Sequence, residues 1–530
     1  MVASGAAGGG AGPDPALADF PSSAPGTRRW CFADQLGPHY LDRPDQPVLL
    51  IESRAVFARR RFHRQKAHLV LSALRHRAAE LGEQAEFLQV GTYAEALDRV
   101  REPLSVCAPT SWSSRDYVLR RPGLEVVDAR GFVTTHAEFA AWADGRGRRG
   151  GGAAGRQSRL LMEDFYRDSR RRHDVLMNGA EPVGGRWNLD EENREPPPAD
   201  GRIGVPEPWW PEEDDIDAGV RADLDRWEAE GLVSFVGDDG PRLFPVTRAE
   251  ALHRLEDFLE HRLGAFGPHE DAMLAGDRWL AHSLISPALN LGLLDPLEVV
   301  VATEQSARDR AAAGDLLPLN SVEGFVRQVM GWRDYIWHMY WYLGRDFRTR
   351  NHLGAHAEVP GWLTDLDDGA VDAACLSGVL ADLRRDGWVH HIPRLMVLGN
   401  YALQRGIDPS AMTDWFHESF VDGYEWVMVA NVVGMSQHAD GGALATKPYA
   451  SGGAYIDRMS DYCGGCRYDP RKRLGDDACP YTAGYWAFLD RTRDRLAGNH
   501  RMRRPLQGLD RLKDLPAVVE QEQRRGTEAP

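Results

Sequence analysis

The sequence predicts two unlike domains in series, a doubly wound α/β domain followed by a large all-α domain. Three observations carry that expectation. Strand-like and helix-like segments alternate from Arg28 to about residue 130, a Pro-rich acidic connector follows, and from about 246 to 500 apolar residues recur at helical spacing. Strands that alternate with helices imply a parallel sheet covered on both faces.

The elements follow in order. Residues 1–27 are mostly Gly, Ala, Ser and Pro, too poor in large apolar groups to offset the entropy of ordering, and are expected to be a flexible tail. The α/β domain spans 28–140, with strands at 47–51 (PVLLI), 85–90, 104–108 and 123–128 and helices over 56–81 and 93–101. An interdomain linker covers 141–245; it holds a Gly-rich loop at 144–156 and the connector 181–216. The helical domain occupies 246–505, and 506–530 is expected to be a C-terminal tail. Within the helical domain, 320–343 has the clearest period: Phe325, Val329, Trp332, Ile336 and Tyr340 share a face. Asn320 and Glu323 have the spacing of an N-cap and its reciprocal partner.

The 530 residues are 43% hydrophobic and 27% charged, the balance of a globular chain. No run approaches the roughly 18 apolar residues of a membrane helix, and the N-terminus lacks the basic and apolar regions of a signal peptide. A soluble, cytoplasmic monomer is expected. The net charge of -16 argues against nonspecific attraction to nucleic acid over the whole surface, so any DNA site must be a local patch.

Six cysteines are too few for a secreted disulfide framework, yet three of them, Cys463-Gly-Gly-Cys466 and Cys479, have metal-ligand spacing. Cys375 is the candidate fourth ligand in the same domain, whereas Cys31 and Cys107 read as buried thiols of the α/β domain. Spacing alone admits zinc, an iron-sulfur cluster, or no metal at all.

The segments GGRWNLDEENR (184–194), HSLISPALNLGLLDPLEV (282–299), NSVEGFVRQVMGWRDY (320–335), HHIPRLMVLGN (390–400) and ANVVGMSQHADGGALATKPYASGGAYIDRMSDYCGGCRYDP (430–470) resemble the bacterial iron-sulfur (6-4) photolyase group of the cryptochrome/photolyase superfamily. The resemblance runs from about residue 28 to 505. It implies the photolyase/cryptochrome fold: an N-terminal α/β antenna domain, a long linker and an all-helical domain that holds FAD. It also implies light-dependent repair of UV-damaged DNA, with nucleoid association when DNA is bound.

The same resemblance implies roles for individual residues. Cys375, Cys463, Cys466 and Cys479 match the ligands of a 4Fe-4S cluster. Ser283, Leu284, Ile285 and Ser286 would hold the FAD diphosphate, a reasonable use of a helix start, and Asn320, Glu323, Arg327 and Trp332 lie on the helix that flanks the flavin. Asn431 is expected to face flavin N5. Asp34, Gln35 and Glu52 match the site of a 6,7-dimethyl-8-ribityllumazine antenna, with Ala33 where the motif usually begins with Gly.

His391 matches the catalytic histidine, the proton donor in repair, with His390 as its supporting neighbour; imidazole suits that task. Tyr449 and Tyr455 match tyrosines of the lesion pocket, and Asp190 and Arg194 match linker residues that affect repair. Trp415 matches one electron-transfer tryptophan. The segment before Cys375, PGWLTDLDDGAVDAAC, departs from the pattern and leaves Trp362 as a displaced second one. Arg467, Arg471, Lys472 and Arg473 are the basic residues offered to DNA phosphates. The sequence leaves open a role for Mg2+.

Two rival readings remain at this level. A cryptochrome-like photoreceptor would carry the same cofactors with a signalling output, and a zinc-stapled nucleic-acid-binding protein would carry no flavin.

Overall fold

The structure is a computed structural model that describes residues 23, 24, 26–149 and 160–530, with the backbone alone at 147–149. Most of the expected N-terminal tail, and residues 150–156 of the expected Gly-rich loop, lie outside the described residues. Residues 144–149 of that loop are helical, ending the helix His136–Arg149. Phe139 and Ala143 carry the helix: both are buried, and Phe139 packs against Phe165.

Five strands form one parallel sheet: β1 (Arg28–Cys31), β2 (Val48–Ser53), β3 (Ala85–Val90), β4 (Leu104–Cys107) and β5 (Leu124–Val127), in the order β3-β2-β1-β4-β5. Every residue of β2 is buried and Trp30, Leu49 and Val106 are sealed, as parallel strands covered on both faces require. The order reverses between β1 and β4. At such a switch point a crevice opens beyond the strand ends.

The expected linker is more structured than its composition suggests. It contains the helices Met162–His173 and Asp215–Ala229, the second opened by a capping box between Asp214 and Asp217. Val220, Leu224 and Trp227 of that second helix share a core with Phe62 and Leu71, so it packs as part of the α/β domain. Between the two helices the chain is mostly irregular.

The aromatic helix over 320–343 is present with a break inside it: α-helical Leu319–Val326, a π-helical stretch Arg327–Arg333, then α-helical Asp334–Tyr342. Pro318 is the N-cap, two residues earlier than expected. Asn320 is thus inside the helix and its amide binds Asn193 of the linker. Two more π-helical stretches, Pro393–Gly399 and Ala430–Ser436, lie in the same domain.

The C-terminal segment is not a tail. Helices Arg503–Leu509 and Leu515–Arg525 dock on the domain, and Val518 is fully buried. Beyond them the backbone of Thr527 accepts from the indole N–H of Trp362, that of Glu528 from the Tyr401 hydroxyl, and that of Pro530 from the N–H groups of Asp372 and Ala373. The composition of this segment resembles a solvated helix, and its anchor is one buried pair, Arg405 with Glu522 at 2.6 Å.

Removing one partner of a buried pair strands the other charge. Glu522→Ala should therefore destabilise the folded protein by about 3 kcal/mol, at the lower end for a broken buried ion pair. Urea unfolding compared with Gln521→Ala, a neighbour less deeply placed, checks this.

Candidate active site and cofactor sites

At the switch point, the carboxylate of Asp34 follows β1 and the hydroxyl of Thr110 follows β4; the hydroxyl donates to the carboxylate at 2.6 Å. Burial raises the Asp34 carboxyl and the Thr110 bond opposes it. Beside it stand Trp30, Phe32, Tyr93 and Tyr117, a set of rings whose neighbouring centroids lie 4.4–6.5 Å apart. Asp34 remains partly accessible. A polar acceptor beside an aromatic wall fits a flat heteroaromatic ligand.

The two other expected antenna residues are not in that crevice. Gln35 is buried and closes the loop after β1, its amide donating to the Cys107 carbonyl. Glu52 lies within β2 with its carboxylate in a paired hydrogen bond to Arg75, both contacts 2.8 Å, and a third from Gln89. A carboxylate so occupied is committed to the fold.

The segment expected at the FAD diphosphate, Ser283–Ser286, runs into the short helix Ser286–Asn290. Leu284 takes φ +58, a left-handed conformation that costs a branched residue energy and is held by its buried side chain. The Ser286 hydroxyl donates to Asp422 at 2.7 Å, and Asp422 also accepts two bonds from Arg394, 2.8 and 3.0 Å. Next to this loop the ring of His282 stacks on His390, centroids 4.3 Å apart. His282 Nε2, His390 Nδ1 and Trp388 Nε1 are buried without a hydrogen-bond partner.

Orphaned buried polar atoms are costly unless something completes them. Three such nitrogens beside a loop with an accessible Ser283 fit a polyoxygenated cofactor, as FAD is. Asn431 opens onto the same domain from a π-helical stretch; its amide N–H is held by the Val427 carbonyl, which aims the oxygen elsewhere. Trp332 is half-buried between two apolar cores.

Asn320, Glu323 and Arg327, by contrast, turn toward the linker. Glu323 accepts from the Leu189 N–H at 3.0 Å and from Arg327; Arg327 also donates to Asp190 at 3.1 Å. Burial works against the Arg327 charge, but Glu270, Glu323 and Asp190 outweigh it and raise its pKa. Asp190 meanwhile pairs with Arg194. The pair Asp190 and Arg194 is therefore no isolated surface contact, because its aspartate is fixed from beneath.

The expected lesion group separates into two clusters. Tyr449 and Tyr455 lie in the field of Asp271 and Arg194, and burial raises both phenols, Tyr455 to about 12. His391 lies with His390, His282 and Arg394. Solvent reaches His391, yet protein surrounds it deeply enough that desolvation, then Arg394, lowers its pKa to about 4. The free protein holds a neutral imidazole there.

Sequence reading missed Glu270 and Asp271. Burial raises Glu270 to about 8 and Asp271 to about 6. Glu270 accepts from Asn193 at 3.1 Å and from Gln328. The only sequence signal was an adjacent acidic pair, common on any surface.

All four candidate ligand cysteines, Cys375, Cys463, Cys466 and Cys479, line one small apolar cavity with Gly453, Ile456 and Tyr481. They come from a helix start, a tight turn and a second helix start. Burial, then the other three thiols, raises the Cys375 thiol. At Cys479 burial raises and the Tyr481 and Thr482 N–H groups lower, so a helix N-terminus points at that sulfur. A Cβ on Gly453 would stand 2.7 Å from Cys479 Sγ. Among the described residues, no three of these sulfurs lie within 4.8 Å of one another. Thiolates about 2.3 Å from a single tetrahedral zinc would lie closer together than that.

Trp415 is buried, its indole N–H donating to the Leu363 carbonyl at 2.9 Å. Trp362, the residue before Leu363, is half-buried and stands 5.5 Å from Tyr401. The basic run is largely neutralised: Arg467 pairs with Asp372, Lys472 with Asp477 and Arg473 with Asp514.

A family model described as deoxyribodipyrimidine photo-lyase-related protein matches residues 29–232. A (6-4) photolyase of Agrobacterium fabrum is 38% identical over 515 residues, 89% of this chain and 93% of its own. The chain belongs to the photolyase-related family. Two solved structures share its fold. One is a bacterial class III photolyase from Agrobacterium tumefaciens (TM-score 0.54, 14% identity, 95% of this chain and 99% of that one). The other is a Synechocystis cryptochrome (TM-score 0.55, 13% identity, 95% and 100%). The expected order of α/β domain, linker and helical domain is thus that of photolyases and cryptochromes. Among the described residues no helix is long and apolar enough to cross a membrane.

Glu270 gives this photolyase-related chain a testable titration. Its folded pKa, about 8, exceeds the ordinary 4.5, so the folded state binds the proton more tightly. Its contribution to stability is full below about pH 4.5 and is lost as pH rises toward 8. Glu270→Gln should flatten that decline, as denaturant midpoints taken across the interval will read.

Proposed function

We propose that this protein is a light-dependent lyase that repairs (6-4) pyrimidine-pyrimidone photoproducts in UV-damaged DNA. The observation that carries the reading is His391, an accessible imidazole in a protein-walled recess beside three buried nitrogens that await a partner. Identity across nearly the whole chain to a protein named (6-4) photolyase supports it.

In this reading Ser283, Leu284, Ile285 and Ser286 would hold FAD and Asn431 would lie beside its ring; the reduced cofactor would supply a photoexcited electron. The rest falls to side chains. The damaged dinucleotide leaves the stack and enters the recess, a step cheapest where bases are already distorted. Tyr449 and Tyr455 stay protonated at neutral pH and offer hydroxyl donors to it. Asp190 and Arg194, fixed by Arg327, edge the recess from the linker.

His391 is neutral in the free protein, so its protonation belongs to the complex. DNA phosphate and the negative charge of an electron on the lesion both favour an imidazolium, and each opposes the desolvation that lowers its pKa. A proton then sits where the transferred hydroxyl or amine needs it. His390, stacked on His282, holds the neighbouring backbone and is a positioning residue.

The four cysteines carry a 4Fe-4S cluster in this reading, supported by their shared cavity and by a sulfur spacing too wide for one ion. Its ligands come from loops around the C-terminal part, away from His391, which suits a structural role. Asp34 and the rings around it hold a lumazine antenna, and Trp415 with Trp362 leads electrons inward.

His391→Ala should keep its FAD spectrum and most DNA affinity while losing (6-4) repair by about 10² to 10⁴-fold. Prereduced protein under blue light, assayed with a (6-4) oligonucleotide, measures this; near-normal repair in the variant would overturn the role of His391, whereas wild type that binds FAD yet leaves the lesion intact would favour a photoreceptor. For the cluster, Cys463→Ala should lose iron and fold poorly, because ligation and folding are coupled. Iron and sulfide analysis of anaerobically purified protein decides it, and zinc in their place would refute the cluster.

A further inference from the structure

The loop that carries Asp34 does not merely lie near the helical domain. It is seated on it. Leu36 N–H donates to the Leu291 carbonyl at 3.1 Å. A Cβ on Gly37 would stand 2.2 Å from the carbonyl oxygen of Gly292, and a Cβ on Gly292 would stand 2.7 Å from that of Asp34 and 2.6 Å from the Tyr40 ring. Two backbones therefore meet glycine to glycine, closer than any side chain allows.

The seat is braced from both sides. Tyr40, fully buried, also closes against Gly131, where an added Cβ would lie 2.2 Å from its hydroxyl. Arg333 donates to the Gly131 carbonyl at 3.0 Å and to the Leu289 carbonyl at 3.3 Å, while its guanidinium covers the rings of Phe132 and Trp426. One side chain thus bolts the α/β domain to the short helix Ser286–Asn290. Along the chain, Gly37 is three residues from Asp34 and Gly292 six residues from Ser286.

We propose that this glycine seat fixes the distance and angle between the light-harvesting chromophore at Asp34 and the flavin at Ser283–Ser286, making Gly37 and Gly292 positioning residues for energy transfer. The inference rests on the antenna reading given above. Transfer between two chromophores through space falls with the sixth power of their separation and depends on their mutual orientation. A rigid backbone contact holds both, whereas side-chain packing with mobile rotamers would hold neither so firmly.

Gly37 offers the cleaner test because its φ is -80°, open to any residue, so alanine there adds a clash without backbone strain. Gly292 has φ +69 and takes both penalties. The control is Gly498→Ala, where nothing lies within 4 Å.

The experiment uses purified full-length holoprotein and four readings: chromophore content after release, flavin content, fluorescence lifetime of the bound antenna, and repair under light absorbed by the antenna against light absorbed by flavin alone. Gly37→Ala should retain both chromophores and flavin-driven repair, yet show a longer antenna lifetime and a loss of antenna-driven repair. Gly292→Ala should exceed it in both, and Gly498→Ala should match wild type. A wild-type lifetime in Gly37→Ala at full occupancy overturns the seat while leaving the antenna reading intact. Wild type without a second chromophore, or an Asp34→Asn variant with unchanged antenna content, overturns the antenna reading and the seat's role with it. If Gly37→Ala loses flavin as well, the seat is a folding element and the proposal fails.

Discussion

The guanidinium of Arg327 is the constraint on which the lesion side of the molecule hangs. It is almost wholly buried, and a bare charge there would cost several kcal/mol. Glu323 on the same helix and Asp190 on the linker share the task of compensating it. Because the linker aspartate is needed by a buried cation, the linker is tied to the helical domain, and Arg194 is held beside Tyr449 and Tyr455 with it. An acidic, Pro-rich connector thereby becomes a wall. The same demand accounts for Asn320, which holds Asn193 rather than capping its helix.

Much of this architecture was legible because it rests on local pattern. Four of the five strands were legible from short apolar runs such as VLLI, whose burial on both faces demands that composition, whereas the central strand Arg28–Cys31, with two arginines in four residues, was not. The gathering of Cys463, Cys466 and Cys479 was legible from their spacing, which by itself left open zinc, a cluster or no metal. The C-terminal helices were not, because Leu515–Arg525 is polar on average and its docking uses partners distant in sequence, such as Arg405 for Glu522, more than a hundred residues away. The helix Asp215–Ala229 hid in the same way, its capping box lying within an acidic run that reads as solvated. At the site, Glu52 matched a motif by position, but only the fold brings Arg75 to its carboxylate.

The π-helical stretches were beyond any periodicity. Arg327–Arg333, Pro393–Gly399 and Ala430–Ser436 each insert a wider turn into a helix, and each adjoins residues of the candidate site: Trp332 within the first, His391 just before the second, Asn431 within the third. A π turn shifts the faces that follow it, so a helix can hold its apolar stripe on the core while re-aiming a polar side chain. The pattern of apolar residues on either side remains helical, which is why 320–343 reads as one uninterrupted element. Three such stretches around one recess spend backbone regularity where side-chain direction matters most.

Charge near His391 is arranged for silence rather than for attraction. Arg394 is bound twice by Asp422, which is further held by the Ser286 hydroxyl, and its charge still opposes protonation of the neighbouring imidazoles. Burial keeps His282, His390 and His391 neutral. In the basic run, Arg467, Lys472 and Arg473 are likewise paired to nearby carboxylates. On the proposed reading, an extruded dinucleotide would bring negative charge to these neutral imidazoles, where the low dielectric makes it felt, so that a proton would be drawn there in response to the lesion.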